Sequence, residues 1–410
     1  MSARRILRAA ALGIVAALTV LVAAGRNVAA ADLSGDPIKI GDLNSYTRLP
    51  AFTIPYRHGW EMAVDEINAA GGVLGRPVEV ISRDDGGKPG DAMTAANELV
   101  SREGVVLLFG TLLSNVGLAV SDFAHQKGIV FLAAEPLTDA LAWEKGNAHT
   151  FRLRPGTYVQ AAMLAEEAAK LSARRWATVA PNYEYGQSAV EAFKDLLKAR
   201  RPDVEFVAEQ WPALFNIVAG TTVQALARAK PDAVFNVTFG SDLAQFVREG
   251  NVRGLFEERS VVSMLSGEPE WIDPLGSEAP EGWIVTGYPW YAIETPEHTA
   301  FRDTYMKRFD DYPRMGSVVG YASAQAIAIA IEKAGSVETA AIRAAFKGLE
   351  VETPLGPIVF RDSDQQSTLG TFVGTLTVQD GMPRMVDERY LDGARYLPSE
   401  DAALARRPQN

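Results

Sequence analysis

The side chains that could make or break bonds are few in this chain, and they are scattered. Four histidines, His58, His125, His149 and His298, stand far apart, with no spacing that gathers them around a metal ion. There is no G-x-S-x-G elbow and no H-E-x-x-H helix. The chain has no cysteine, which removes thiol chemistry and disulfides together. Gly86-Gly87-Lys88-Pro89 lacks the upstream glycine and the hydroxyl residue of a phosphate loop, so it reads as a turn. Gly71-Gly72-Val73-Leu74-Gly75 ends a helix rather than opening one, which makes it a C-cap cluster and not a dinucleotide fingerprint. The pairs Asp84-Asp85 and Asp310-Asp311 read as solvated or capping groups. No catalytic residue, metal ligand or cofactor is expected.

Binding has more support. Three loops, Asn44–Tyr56, Gly110–Asn115 and Ala134–Thr138, each follow an apolar run that reads as a strand. In open α/β sheets this C-terminal edge is where ligands sit. Within Gly110-Thr111-Leu112-Leu113-Ser114-Asn115, a hydroxyl and main-chain N–H groups at a helix start suit a carboxylate. Ser114 would equally cap the helix Val116–Phe123, and one hydroxyl can do both.

The elements that must position these loops alternate along the chain. Strands are expected at Ile38–Gly41, Val78–Ser82, Val105–Phe109, Ile129–Ala133, Ala177–Val179, Ala233–Val237, Val261–Leu265 and Trp283–Thr286. Helices are expected at His58–Gly72, Asp91–Glu103, Val159–Leu171, Ser188–Ala199, Val223–Ala229 and Asp242–Glu249, with Asp91 and Asp242 as N-caps. Ser317–Gly335 reads as a long helix of small residues spaced for packing. This order predicts parallel sheets with helices on both faces. Breakers at Pro155-Gly156 and in Thr286-Gly287-Tyr288-Pro289-Trp290-Tyr291 divide the chain into segments best assembled as two lobes around a cleft.

The first residues read as a secretory leader: Arg4, Arg5 and Arg8, the apolar run Ala9–Ala24, then Ala29-Ala30-Ala31 before Asp32. Cleavage is expected near Ala31, with 1–31 as signal peptide and the mature protein in the periplasm. A formal net charge of −11 argues against nucleic acid and anionic membranes as partners.

Ile38–Asp85, the Gly110–Ser114 loop, Tyr183-Glu184-Tyr185-Gly186-Gln187, Ala233–Arg248 and Thr353-Pro354-Leu355-Gly356-Pro357 together resemble the type I periplasmic solute-binding proteins of branched-chain amino-acid (Leu/Ile/Val) ABC transporters. The resemblance implies two α/β lobes, each a mostly parallel sheet with helices on both faces, joined by three crossover strands and closing on ligand about a hinge. It places the N-terminal lobe in 36–154 plus 290–370, the C-terminal lobe in 155–289 plus 371–397, and a tail in 398–410. It implies a monomer that hands a small apolar carboxylate to a membrane permease. The carboxylate-binding serine falls on Ser114, with Leu113 beside it. The aromatic that closes from the second lobe falls on Tyr185, and a second falls on Phe239. The first-loop aromatic falls near Phe52, with Tyr46 and Arg48 as further candidates in that loop.

Two positions depart from the family pattern. The threonine that helps hold the ligand head falls on Leu137, with Glu135 nearby. The glutamate that pairs with the ammonium falls on Leu265 or Ser266, and Glu268 is offset. A buried ammonium needs an anionic partner. If neither Glu135 nor Glu268 reaches in, the pocket should take an aromatic or aliphatic acid or amide without the amine. A periplasmic sensor subunit of the same fold is the alternative role.

Overall fold

The computed structural model describes residues Leu33–Pro408. The expected leader lies outside them. The chain opens with β1 (Ile38–Asn44), α1 (Pro50–Ala69), β2 (Val78–Asp84), α2 (Pro89–Glu98), β3 (Leu107–Gly110), α3 (Ser114–Lys127), β4 (Val130–Ala133) and β5 (Thr150–Arg152). These strands form one sheet in the order β2-β1-β3-β4-β5, parallel throughout. β3 and β4 are buried along their whole length, as expected for strands covered by helices on both faces.

A second unit follows: α4 (Thr157–Ala168), β6 (Arg175–Val179), α5 (Glu184–Arg200), β7 (Glu205–Gln210), α6 (Ala219–Ala229), β8 (Ala233–Asn236), α7 (Gly240–Val252), β9 (Ser260–Gly267), α8 (Pro269–Ile272) and β10 (Ile284–Gly287). The chain then returns to the first lobe through α9 (Pro296–Phe309), α10 (Met315–Ala334), α11 (Thr339–Phe346) and a hairpin, β11 (Glu350–Thr353) with β12 (Gly356–Val359). It crosses back to β13 (Thr371–Gln379) and β14 (Met382–Leu391) before a short α12 (Glu400–Leu404). The second sheet runs β14-β13-β10-β9-β8-β6-β7, parallel except for the antiparallel pair β13 and β14 at one edge. Three passages therefore join the lobes, after β5, after β10 and before β13.

Several helices begin earlier than the sequence expectation, among them α1, α2, α5, α6 and α7. Asn44–Tyr56 is not all loop, because α1 begins at Pro50. Pro50 occupies the first helical position, where its missing N–H would have had no partner anyway. Pro55 gives up one main-chain bond inside the helix, which its packed setting tolerates. Asp91 and Asp242 lie in the first turns of α2 and α7 rather than at the caps, which are Lys88 and Phe239. Asp242 instead accepts the N–H groups of Phe215 (2.8 Å) and Ile217 (3.2 Å), pinning the loop after β7.

α10 is long and apolar enough to cross a membrane, but 78% of that stretch is buried inside the protein, so it is a core helix. It lies against α1 through glycines. A Cβ on Gly59 would stand 2.0 Å from the Ser317 carbonyl oxygen, and one on Gly320 would stand 2.0 Å from that of Tyr56. The small-residue spacing read from sequence serves this close approach.

Candidate ligand-binding site

The loops at the C-terminal edges of the two sheets face each other. After β3 the chain turns through Gly110 (φ +109) and Thr111 (φ +59) to begin α3 at Ser114. A Cβ at Gly110 would meet the Leu43 carbonyl oxygen at 2.3 Å, so this turn requires glycine. Ser114 is the first residue of the helix, not its cap. Its Oγ accepts the Thr138 N–H at 3.2 Å, which leaves the hydroxyl hydrogen free to point elsewhere. After β4 come Glu135 and Leu137.

From the other lobe, Tyr183 and Tyr185 stand at the start of α5, and Phe239 at the start of α7. Leu265 lies in β9 and Trp271 in α8. Leu265 holds a left-handed backbone (φ +66), which is costly for a non-glycine residue. Its N–H is fixed by Thr286 Oγ1 at 2.8 Å, and that hydroxyl donates to Gln160 Oε1 at 3.0 Å. Phe239 meets Tyr185 edge-on at 5.7 Å and Trp271 at 5.5 Å between ring centroids.

Ser114, Leu113, Glu135, Leu137, Tyr185, Phe239 and Leu265 thus line one cavity between the lobes, together with Leu112, Tyr183 and Trp271. About 20 Å³ of it is open, room for one water molecule. Two roomier hollows, about 680 and 350 Å³, open to the surface beside the cleft. The inner cavity is the better candidate because its lining is mostly apolar and aromatic, comes from the strand-to-helix loops of both sheets, and holds the unpartnered Glu135 Oε2 and Tyr185 hydroxyl.

Three expected lining residues stand elsewhere. Phe52 is fully buried behind Trp271, stacked on it at 6.0 Å with the rings 5° from parallel. Tyr46 turns under β1, donating to Asp42 Oδ2 at 2.7 Å, with the Arg57 guanidinium 3.9 Å above its ring. Arg48 is exposed and reaches across the mouth of the cleft, 4.8 Å from the Phe215 ring centre. All three fall in the stretch expected to be loop. The early start of α1 turns Phe52 inward.

The electrostatics depend on a residue that sequence reasoning passed over. Arg154, wholly buried in the first crossover, gives Nη1 to Glu135 Oε1 and Nη2 to Glu268 Oε1, each at 2.5 Å. Glu268 spends its other oxygen on Trp271 Nε1 at 3.0 Å. Glu135 Oε2 and the Tyr185 hydroxyl have no partner. Burial pushes the Glu135 carboxyl well above the usual range against the pull of Arg154, and it raises Glu268 in the same way. Arg154 is the second arginine of Thr150–Pro155, and nothing local in that stretch marks it as buried. Trp271 carried no local signal either.

Among known proteins, the periplasmic binding protein family matches residues 37–381. The chain belongs to that family. The Leu/Ile/Val-binding protein homolog 7 of Brucella suis is 26% identical to this periplasmic binding protein over 372 residues, 86% of this chain and 91% of the relative. The Leu/Ile/Val-binding protein BraC3 of Rhizobium johnstonii is 28% identical over 349 residues, 82% and 91% of the two chains. Among solved structures, a solute-binding protein of an ABC transporter from Rhodopseudomonas palustris, in complex with 3,4-dihydroxybenzoic acid, superposes with a TM-score of 0.78 at 21% identity, covering 87% of this chain and 98% of that one. The leucine-, isoleucine-, valine-, threonine- and alanine-binding protein of Brucella ovis, in its closed conformation, gives 0.77 at 20% identity, covering 89% and 97%. The two-lobed α/β architecture is that of the type I periplasmic binding proteins.

Proposed function

We propose that this periplasmic binding protein is the exported solute-capturing component of an ABC importer. It takes a small apolar carboxylate, a branched-chain or other hydrophobic amino acid, between its lobes and presents it to a membrane permease. The observation that carries this reading is the set of polar atoms around an otherwise apolar cavity. The Ser114 and Tyr185 hydroxyls can donate to a carboxylate beside the N-terminus of α3. Glu135 Oε2 can accept from an ammonium. Glu268 does not line the cavity, and its oxygens already accept from Arg154 and Trp271. The Leu/Ile/Val-binding relatives support the same class.

A second reading has its own observation. Arg154 already neutralises part of the charge on both acids, and the cavity is walled by Tyr183, Tyr185, Phe239 and Trp271. An aromatic acid without an amine suits such a wall, and neighbours bound to 3,4-dihydroxybenzoic acid and benzoate support it.

A thermal-shift screen of the mature protein, from Asp32 onward, decides between them. A ligand at a hundred times its dissociation constant adds about 2.7 kcal/mol of stability. Stabilisation by leucine, isoleucine or valine and not by benzoate or short-chain acids supports the amino-acid reading. The reverse supports the second. No shift with any of them, nor with phenylalanine or 3,4-dihydroxybenzoic acid, overturns both.

A further inference from the structure

The segment Glu268–Asp273, which follows β9 in the second lobe, meets the first lobe or its crossover at four of its six residues. Glu268 binds Arg154 at 2.5 Å. Trp271 stacks on Phe52. Asp273 Oδ2 accepts the Tyr312 hydroxyl at 2.6 Å. Glu270 accepts the N–H groups of Met315 (3.2 Å) and Gly316 (3.0 Å), the first two residues of α10. A helix start leaves such N–H groups without partners inside the helix. In this molecule the carboxyl comes from the opposite lobe, and it is 3% exposed. The same segment touches the ligand cavity, since Trp271 lines it and Leu265 lies just upstream.

We propose that Glu268–Asp273 is the clasp that shuts the trap, with Glu270 as the positioning residue that docks the second lobe on the start of α10. Glu270 does not line the inner cavity. It faces the 350 Å³ hollow with Pro50, Ile54 and His58. Contact of a ligand with Trp271, and with the strained Leu265 just upstream, therefore bears directly on this short segment. Parting the lobes uncovers both the carboxyl and the two N–H groups. The inference rests on the capture reading, but it concerns how the lobes stay shut rather than what they hold.

The test uses the mature protein, from Asp32 onward, carrying a fluorophore pair on the two lobes, with leucine and benzoate as probes. Glu270→Ala should lengthen the interlobe distance and speed release of whichever probe binds about tenfold, without changing which probe binds better. Glu270→Gln, whose single amide oxygen can keep one of the two N–H bonds, should restore both in part. Tyr312→Phe should shift the distance in the same direction by less, and it guards against a Glu270→Ala protein that fails to fold. If the folded variants keep the wild-type distance, the clasp is overturned. A reversed order of leucine and benzoate would overturn it too, by placing Glu270 in ligand contact. If neither probe binds the wild type, the capture reading loses its support, while the resting interlobe distance still judges the clasp.

Discussion

At Ser114 the hydroxyl accepts one main-chain N–H and keeps its own hydrogen for a ligand, so its removal costs binding more than folding. Ser114→Ala should weaken capture at least tenfold, about 1.4 kcal/mol, by isothermal titration with the ligand from the screen. Unchanged affinity would remove Ser114 from the site. Arg154 is the opposite case, because two buried carboxylates depend on it. Taking one partner out of a buried ion cluster leaves charge without compensation, a loss of about 3–5 kcal/mol. Arg154→Met should therefore lower the denaturation midpoint strongly at neutral pH, and part of the loss should return near pH 5 as the acids take up protons. A midpoint equal to wild type at neutral pH would mean that Glu135 and Glu268 are held neutral without it.

The contact of α1 with α10 sets the floor beneath the first loop, and it depends on the absence of side chains. Gly320→Ala would drive a methyl group into the Tyr56 carbonyl oxygen, where the added Cβ finds 2.0 Å. Overpacking of this kind costs about 1–3 kcal/mol. A thermal melt should fall by several degrees, and a wild-type melting temperature would show that the helices can slide apart freely. This element was legible in sequence as small residues spaced for packing, and so were β1, β2, β4, β8 and β9, whose apolar runs are unambiguous. The start of α1 was not, because Pro50 and Pro55 read as breakers, and only the packing of Phe52 and Tyr56 makes the helix worth its lost bond. The half-buried edge strand β7 and the antiparallel pair β13 and β14 were missed because their apolar content is diluted. For the site, the strand-to-helix loops could be found from order and spacing. Arg154 and Trp271 could not, because what defines them is a partner more than a hundred residues away, Glu268 for the one and Phe52 for the other.

At the scale of the whole molecule, shutting the lobes changes the protonation of the residue that docks them. Burial, followed by the nearby Glu268 charge, pushes the Glu270 carboxyl up to about 8. In the open form, exposed to water, it should return toward the ordinary carboxylate value of 4.5. Closure then takes up a proton between those limits. Its favourable contribution is complete below about pH 4.5 and is lost as the pH rises through about 8. Charged and titratable groups on the surrounding elements bear on Glu270 too. Glu268 and Glu135 are raised in the same direction, Arg154 and Arg314 stay cationic, and Tyr288 and Tyr305 stay neutral because burial lifts them further. The two glutamates would add to the same slope, so the wild-type profile alone cannot assign it. The comparison that does is wild type against Glu270→Gln, with the dissociation constant followed from pH 6 to 9.5. Wild type should lose affinity from pH 6 to about 8 by up to about tenfold per pH unit more than the variant and level off above 8, because the amide cannot ionise. Superimposable profiles would mean that Glu270 titrates no differently in the open and shut forms, and the proton would then have to be assigned to Glu135 or Glu268.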